Sequence, residues 1–194
     1  MSPVKDLVYR NRSYRRFHQD QAISLDILKE LADLGRMSAC GANQQPLKYI
    51  LSADPGKNAS VFPHLCWAKN LPEWKGPVEG ERPAAYIVIV GDRTISESFG
   101  QDHGIAAQSI MLGAAERGLG GCMIANIDKP GLRAALELDG RYELLLVLAL
   151  GKPRETVVVD ELDPGGNPDY WRDDKQVHHL PKRRLQDIIL AEYD

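Results

Sequence analysis

Leu144–Leu150 is one of the two longest unbroken apolar runs in the chain, and it is halted by Gly151. It is far too short to cross a bilayer. A short apolar run closed by a glycine predicts a strand buried in a sheet, here Tyr142–Leu150. Ala84–Val90, closed by Gly91-Asp92, predicts a second. Around them, helical periodicity and strand alternation take turns. A short helix is expected over residues 3–11, with Pro3 in its first turn. Ser24 is a fitting N-cap for a helix to about Met37, with Leu25, Leu28, Leu31, Ala32 and Gly35 on one face. Leu47–Ala53 alternates as a strand. Lys57–Asn70 has helical composition interrupted by Pro63, and Leu71–Pro83 is a long irregular connection. Asp102–Arg117 predicts a helix rich in small residues, to which a backbone or a partner helix can come close. Gly120–Ala125 reads as a strand, and Asp128 as the cap of a helix over Lys129–Leu138. The order implies one α+β domain with a three-layer α-β-α arrangement over residues 1–194.

Residues 152–194 are different: polar, with Pro153, Pro164, Pro168 and Pro181. Only Lys182–Glu192 looks helical there. A tail with no core of its own must wrap on the rest of its subunit or on a partner subunit.

Composition narrows the function classes. With 43% hydrophobic and 26% charged residues over 194 positions, the chain has material for a folded core rather than disorder. A net charge of -3 argues against a nucleic-acid partner. Cys40, Cys66 and Cys122 form no Cys-x-x-Cys pair, and an odd count does not suit a disulfide framework. The five histidines show no metal-ligand spacing. The first residues lack the apolar segment of a signal peptide. A cytoplasmic protein without a metal and without membrane contact is expected.

Four stretches could carry chemistry. Arg10-Asn11-Arg12-Ser13-Tyr14-Arg15-Arg16 offers four guanidiniums and a hydroxyl, a donor set suited to phosphate, or else a solvated basic turn. Lys152-Pro153-Arg154 follows the end of a buried strand, and its cations could close on the same anion. The loop Cys40-Gly41-Ala42-Asn43-Gln44-Gln45-Pro46 places Asn43 and Gln45 where their amides meet either the edge of a heterocycle or local backbone groups. Gly118-Leu119-Gly120-Gly121 has the glycines of a nucleotide loop in reversed order: they follow a helix and open a strand. A helix C-cap and turn fits them better. No nucleophile, acid or base set stands out. Strong anion donors without a nucleophile suggest that a cofactor carries the chemistry.

Taken in order, these stretches resemble the nitroreductase family of FMN-dependent oxidoreductases. The pieces are Arg12-Ser13-Tyr14-Arg15-Arg16-Phe17, the Cys40–Pro46 loop, Gly104-Ile105-Ala106-Ala107-Gln108, Gly118-Leu119-Gly120-Gly121-Cys122, Met123-Ile124-Ala125-Asn126 and Gly151-Lys152-Pro153-Arg154. The resemblance implies an α+β sandwich with a central, mainly antiparallel sheet, forming an intertwined homodimer with FMN at the interface. The tail would then wrap the partner subunit. The resemblance puts Arg12, Ser13, Lys152 and Arg154 around the FMN phosphate and ribityl chain, within a basic stretch that also contains Tyr14 and Arg16. It sets Arg15 near the pyrimidine edge of the flavin. Asn43, Gln45 and Pro46 belong to a loop that meets the flavin from the other subunit. Ile124, Ala125 and Asn126 end the strand whose backbone N–H groups face flavin N5 and O4. Three positions depart from the family pattern: Asn11 for the first arginine, Cys40 for serine and Leu47 for tryptophan. The implied activity is ping-pong: NAD(P)H gives a hydride to flavin N5, and a small acceptor such as a nitroaromatic or quinone then takes the electrons. No catalytic side chain is required. Reductive dehalogenation, flavin degradation or a non-catalytic flavin-binding module are the alternatives on the same fold.

Overall fold

The computed structural model describes residues 2–194. The element order is α1 (Pro3–Arg10), β1 (Phe17–His18), α2 (Leu25–Arg36), β2 (Leu47–Ser52), α3 (Pro55–Val61), β3 (Ala85–Asp92), α4 (Asp102–Glu116), β4 (Gly120–Ile124), α5 (Lys129–Ala135), β5 (Tyr142–Pro153), β6 (Val157–Leu162), β7 (Trp171–Arg172) and β8 (His178–Arg183). The caps follow the sequence. The side chains of Ser24, Asp54 and Asp128 accept bonds from the backbone N–H groups of Ile27, Lys57 and Gly131.

The apolar runs become the centre of an antiparallel sheet. β5 pairs with β3, β4 and β1, and β3 also pairs with β2. Strand alternation sends side chains to both faces. Ala85, Ile87 and Ile89 of β3 join Leu28 and Leu31 of α2 and Ile110 of α4. Tyr86, Val88 and Val90 join Val61 of α3 and Leu132 of α5. The result is an α+β sandwich of three layers. The register between β3 and β5 shifts at Ile89/Val90, where Leu145 is the extra residue. That bulge lets Leu146, Leu148 and Leu150 pack on one face while Leu144 packs on the other. Burying each such leucine contributes about 1.5–3 kcal/mol. α4 ends at Glu116 and is closed by Gly118, whose φ of 67° favours glycine, with Leu119 N–H returning to Ala114 C=O at 2.9 Å. The glycine cluster is therefore a helix stop feeding β4. No helix among the described residues is long and apolar enough to cross a membrane.

The tail departs from the expected coreless strap. β6, β8 and β7 form a second sheet in which β6 and β8 run parallel. His178 is 1% exposed, and this sheet packs on its own chain through Arg15 and Glu155. The helix expected over Lys182–Glu192 is absent. Residues to Arg183 continue β8, and a single 3-10 turn spans Leu185–Asp187. Pro181 is tolerated in β8 because β7 pairs only with His178 and His179, so no partner on that side misses its N–H. Beyond Arg184, Leu185, Ile188, Leu190 and Tyr193 remain exposed.

Candidate functional site

The N-terminal basic stretch crosses the start of β4. Ser13 bridges Gly121, and Tyr14 N–H donates to Gly121 C=O at 2.9 Å. On β8, His178, Leu180 and Lys182 share one face by alternation. That face meets the same stretch: His178 touches Arg15, while Leu180 and Lys182 line a concavity with Asn11, Arg12 and Ser13. Its volume is about 200 Å³, and Gln108, Met111, Gly121 and Met123 complete it. Among the described residues, neither Arg12 nor Lys182 has a carboxylate within ion-pair distance. Among the same residues the Ser13 hydroxyl has no partner, and Arg12 donates only to the neighbouring Asn11 C=O at 2.7 Å. Two uncompensated cations and a free hydroxyl around one concavity are a donor set for a phosphate dianion, so the residues present fit the phosphate end of a mononucleotide.

Of the other basic residues expected at the site, Arg16, Arg154 and Lys152 are engaged within the fold, so the single chain does not bring the two clusters together around this concavity. Arg16 grips Glu81 with two bonds of 2.6 Å, and Arg154 lies 3.7 Å from the same carboxylate. This bidentate pair holds the Glu81 carboxyl below the usual carboxylate range, chiefly through the Arg16 hydrogen bonds. Lys152 donates to Gly118 C=O at 3.2 Å. Tyr14 faces Arg10 and a separate hollow with Gly118 and Pro153. Arg15 is buried, with its guanidinium 4.6 Å from the centre of the Tyr170 ring. Lys182 was not among the expected residues. Its signal is the Leu180-Pro181-Lys182-Arg183-Arg184 run, whose charge resembles a solvated helix end until β8 is placed.

The Cys40–Pro46 loop is built under strain. Ala42, Asn43 and Gln45 all have positive φ, of 47°, 53° and 55°, and such residues persist only where surrounding structure or function holds them. Asp102, at the start of α4, anchors the loop. Its carboxylate accepts from the Cys40 thiol at 2.9 Å and from Gly41 N–H at 3.0 Å. That bond raises the Cys40 thiol above its ordinary value, so cysteine serves as a protonated donor. Gln45 spends its amide on Asn43 C=O at 3.2 Å, the local satisfaction weighed from sequence. Asn43 and Gln45 are otherwise exposed, Pro46 is buried, and none of them lines the Ser13–Lys182 concavity. Ile124 points into the α3–α5 layer, and Ala125 and Asn126 are exposed at the end of β4.

The segment after α3 is fastened rather than loose. Asn70 Nδ2 donates to Asp169 at 2.6 Å, and Asn70 N–H donates to the Tyr170 hydroxyl at 3.3 Å. Arg172 lies 4.3 Å over the Trp74 ring.

The family model described as the Nitroreductase family matches residues 8–152. No curated protein matches the chain. Among solved structures, a protein from Desulfovibrio desulfuricans, described as a nitroreductase in complex with FMN, is 22% identical with a TM-score of 0.72; the match covers 100% of this chain and 99% of that one. A nitroreductase family protein from Streptococcus pneumoniae TIGR4 is 15% identical, with a TM-score of 0.69 over 97% of this chain and 100% of its own. An FMN-dependent nitroreductase from Clostridium difficile R20291 is 21% identical, with a TM-score of 0.62 over 77% of this chain and 87% of its own. These structures carry the fold, and the family model carries the membership. The chain belongs to the nitroreductase family.

Proposed function

We propose that this chain is a cytoplasmic FMN-dependent oxidoreductase that uses NAD(P)H to reduce small acceptors such as nitroaromatics or quinones. The observation that carries the reading is the concavity between Ser13 and Lys182, with two cations that no acid among the described residues neutralises. Arg12, Ser13 and Lys182 hold the phosphate. Arg15 presents positive charge to the pyrimidine edge, which favours the anionic reduced flavin. Ala125 and Asn126 offer backbone N–H groups at the end of β4. The single-chain concavity is too small for a whole FMN, so the exposed Asn43 and Gln45 close the site from a second copy, with the buried Pro46 holding their loop, and the functional unit is a homodimer. The exposed apolar residues Leu185, Ile188, Leu190 and Tyr193 then wrap the partner. When bound, FMN supplies the hydride chemistry at N5. The chain's part is binding, orientation and charge.

The test is direct. Purified protein is yellow or takes up FMN, anaerobic NADH or NADPH bleaches it, and a nitroaromatic or quinone restores the colour. A colourless protein that takes up no FMN overturns the reading.

A further inference from the structure

Arg15 has an unusual setting for a cation assigned to a flavin edge. Its residue is 8% exposed, yet no carboxylate lies within ion-pair distance of its guanidinium among the described residues. Neutral groups hold it instead: the Ser13 C=O, which accepts from Nη1 at 3.3 Å, and two side chains from the tail, His178 and Tyr170. Nη1 stands 3.2 Å from His178 Nε2, and the guanidinium packs over Tyr170, whose ring centre is 5.2 Å from that of His178. The nearest buried acid, Glu155, is committed elsewhere. It accepts the backbone N–H groups of Arg15 and Arg16 and pairs with Arg172 at 2.9 Å.

We propose that His178 and Tyr170 are positioning residues for Arg15, fixing its guanidinium toward the flavin while leaving its positive charge unneutralised. The inference rests on the FMN reading above. A carboxylate in the place of His178 would orient Arg15 equally well but cancel the charge that stabilises a reduced flavin. A neutral imidazole acceptor orients it at no such cost. The groups facing His178 are Arg15, Arg172, His179 and Tyr170. Burial, then the charges of Arg15 and Arg172, lower its pKa to about 4, so the ring is neutral at ordinary pH. Since Nε2 must accept from Arg15, the proton sits on Nδ1, which has no partner among the described residues. Tyr170 is itself held by Asn70 N–H, which ties Arg15 to the segment after α3.

The experiment compares His178→Phe, His178→Gln and Tyr170→Leu in the FMN-loaded full chain, reading the midpoint potential of the bound flavin together with FMN affinity. His178→Phe removes the side-chain acceptor and leaves Nη1 only the Ser13 C=O. It is expected to lower the preference for reduced over oxidised flavin about tenfold, a shift of about 30 mV to more negative potential for a two-electron couple. His178→Gln, which keeps an acceptor, stays within about threefold of the native value. FMN affinity changes little in either, because the phosphate is held elsewhere. A loaded His178→Phe protein with the native potential overturns the inference. If that variant does not fold, a native potential in Tyr170→Leu overturns it. A native protein that binds no FMN overturns the underlying reading and this inference with it. An unchanged potential in a yellow variant overturns the positioning role alone.

Discussion

Two sets of basic residues, partly adjacent in the chain, end in opposite electrostatic situations. Arg16 and Arg154 share Glu81, whose side chain is 12% exposed, and Arg172 closes on Glu155, whose side chain is 1% exposed. Arg12 and Lys182 face a concavity and meet no acid. In the first set the positive charge is used up in holding β1, β5 and the tail sheet together. In the second it is left for a ligand. A run of arginines states how much charge is present. The placement of two glutamates, far off in sequence, decides which part of it can bind an anion.

The neutralised set gives the largest expected effect. Glu155→Ala leaves Arg172 buried without a counter-charge and removes the acceptor of two backbone N–H groups. Breaking a buried pair from one side costs about 3–5 kcal/mol, so urea unfolding is expected to show a loss of that size. A loss under about 1 kcal/mol would mean that the pair is not a closed, desolvated contact.

Acid tests the same buried region next. In the unfolded chain His178 takes up a proton near its ordinary value of 6.5, while in the fold it does so only near 4. Stability is therefore full above pH 6.5 and is lost as pH falls toward 4, by up to about 3 kcal/mol. His178→Gln lacks this component, so its unfolding free energy is expected to fall less between pH 7 and pH 4.5 than that of the native chain. Parallel losses would show that His178 is charged in the fold.

For the uncompensated set, Lys182→Ala and Arg12→Ala are each expected to weaken FMN binding by about 1.5–3 kcal/mol, the scale of a charged hydrogen bond, with little change in stability. Titration of flavin fluorescence measures it. Unchanged affinity in Lys182→Ala would remove β8 from the phosphate site.

The sequence made the sandwich readable because its signals are local. The apolar runs ending at Val90 and Leu150, the Ser24 cap and the Asp102–Arg117 periodicity each need only a window of neighbours. The tail was not readable, for three physical reasons. β6 and β8 pair in parallel across about 20 residues of chain, Pro181 reads as a strand breaker, and Lys182–Arg184 has the composition of an exposed helix end. The candidate site shared that fate. Arg12 and Ser13 were visible as donors, but their partner Lys182 lies about 170 residues away and becomes adjacent only through β8. Arg16 and Arg154 looked equivalent to Arg12 because Glu81 sits in an irregular segment with no period to reveal where it points, and Lys152 did because its partner is a backbone carbonyl, that of Gly118.

Arg154→Ala gives the smallest effect and separates the two sets most sharply. Arg154 is half exposed, 3.7 Å from Glu81, and Arg16 keeps its own two bonds to that carboxylate when Arg154 is gone. A half-solvated pair contributes at most about 0.5–1 kcal/mol. Both stability and FMN affinity are therefore expected to stay within about 0.5 kcal/mol of native. If FMN affinity instead falls tenfold, Arg154 leaves Glu81 for the phosphate when FMN binds. The neutralised set would then be a reserve of charge released by the ligand, and Glu81→Gln would tighten FMN binding by freeing Arg16 and Arg154 together. Unchanged affinity in both variants leaves Glu81 as a purely structural clasp.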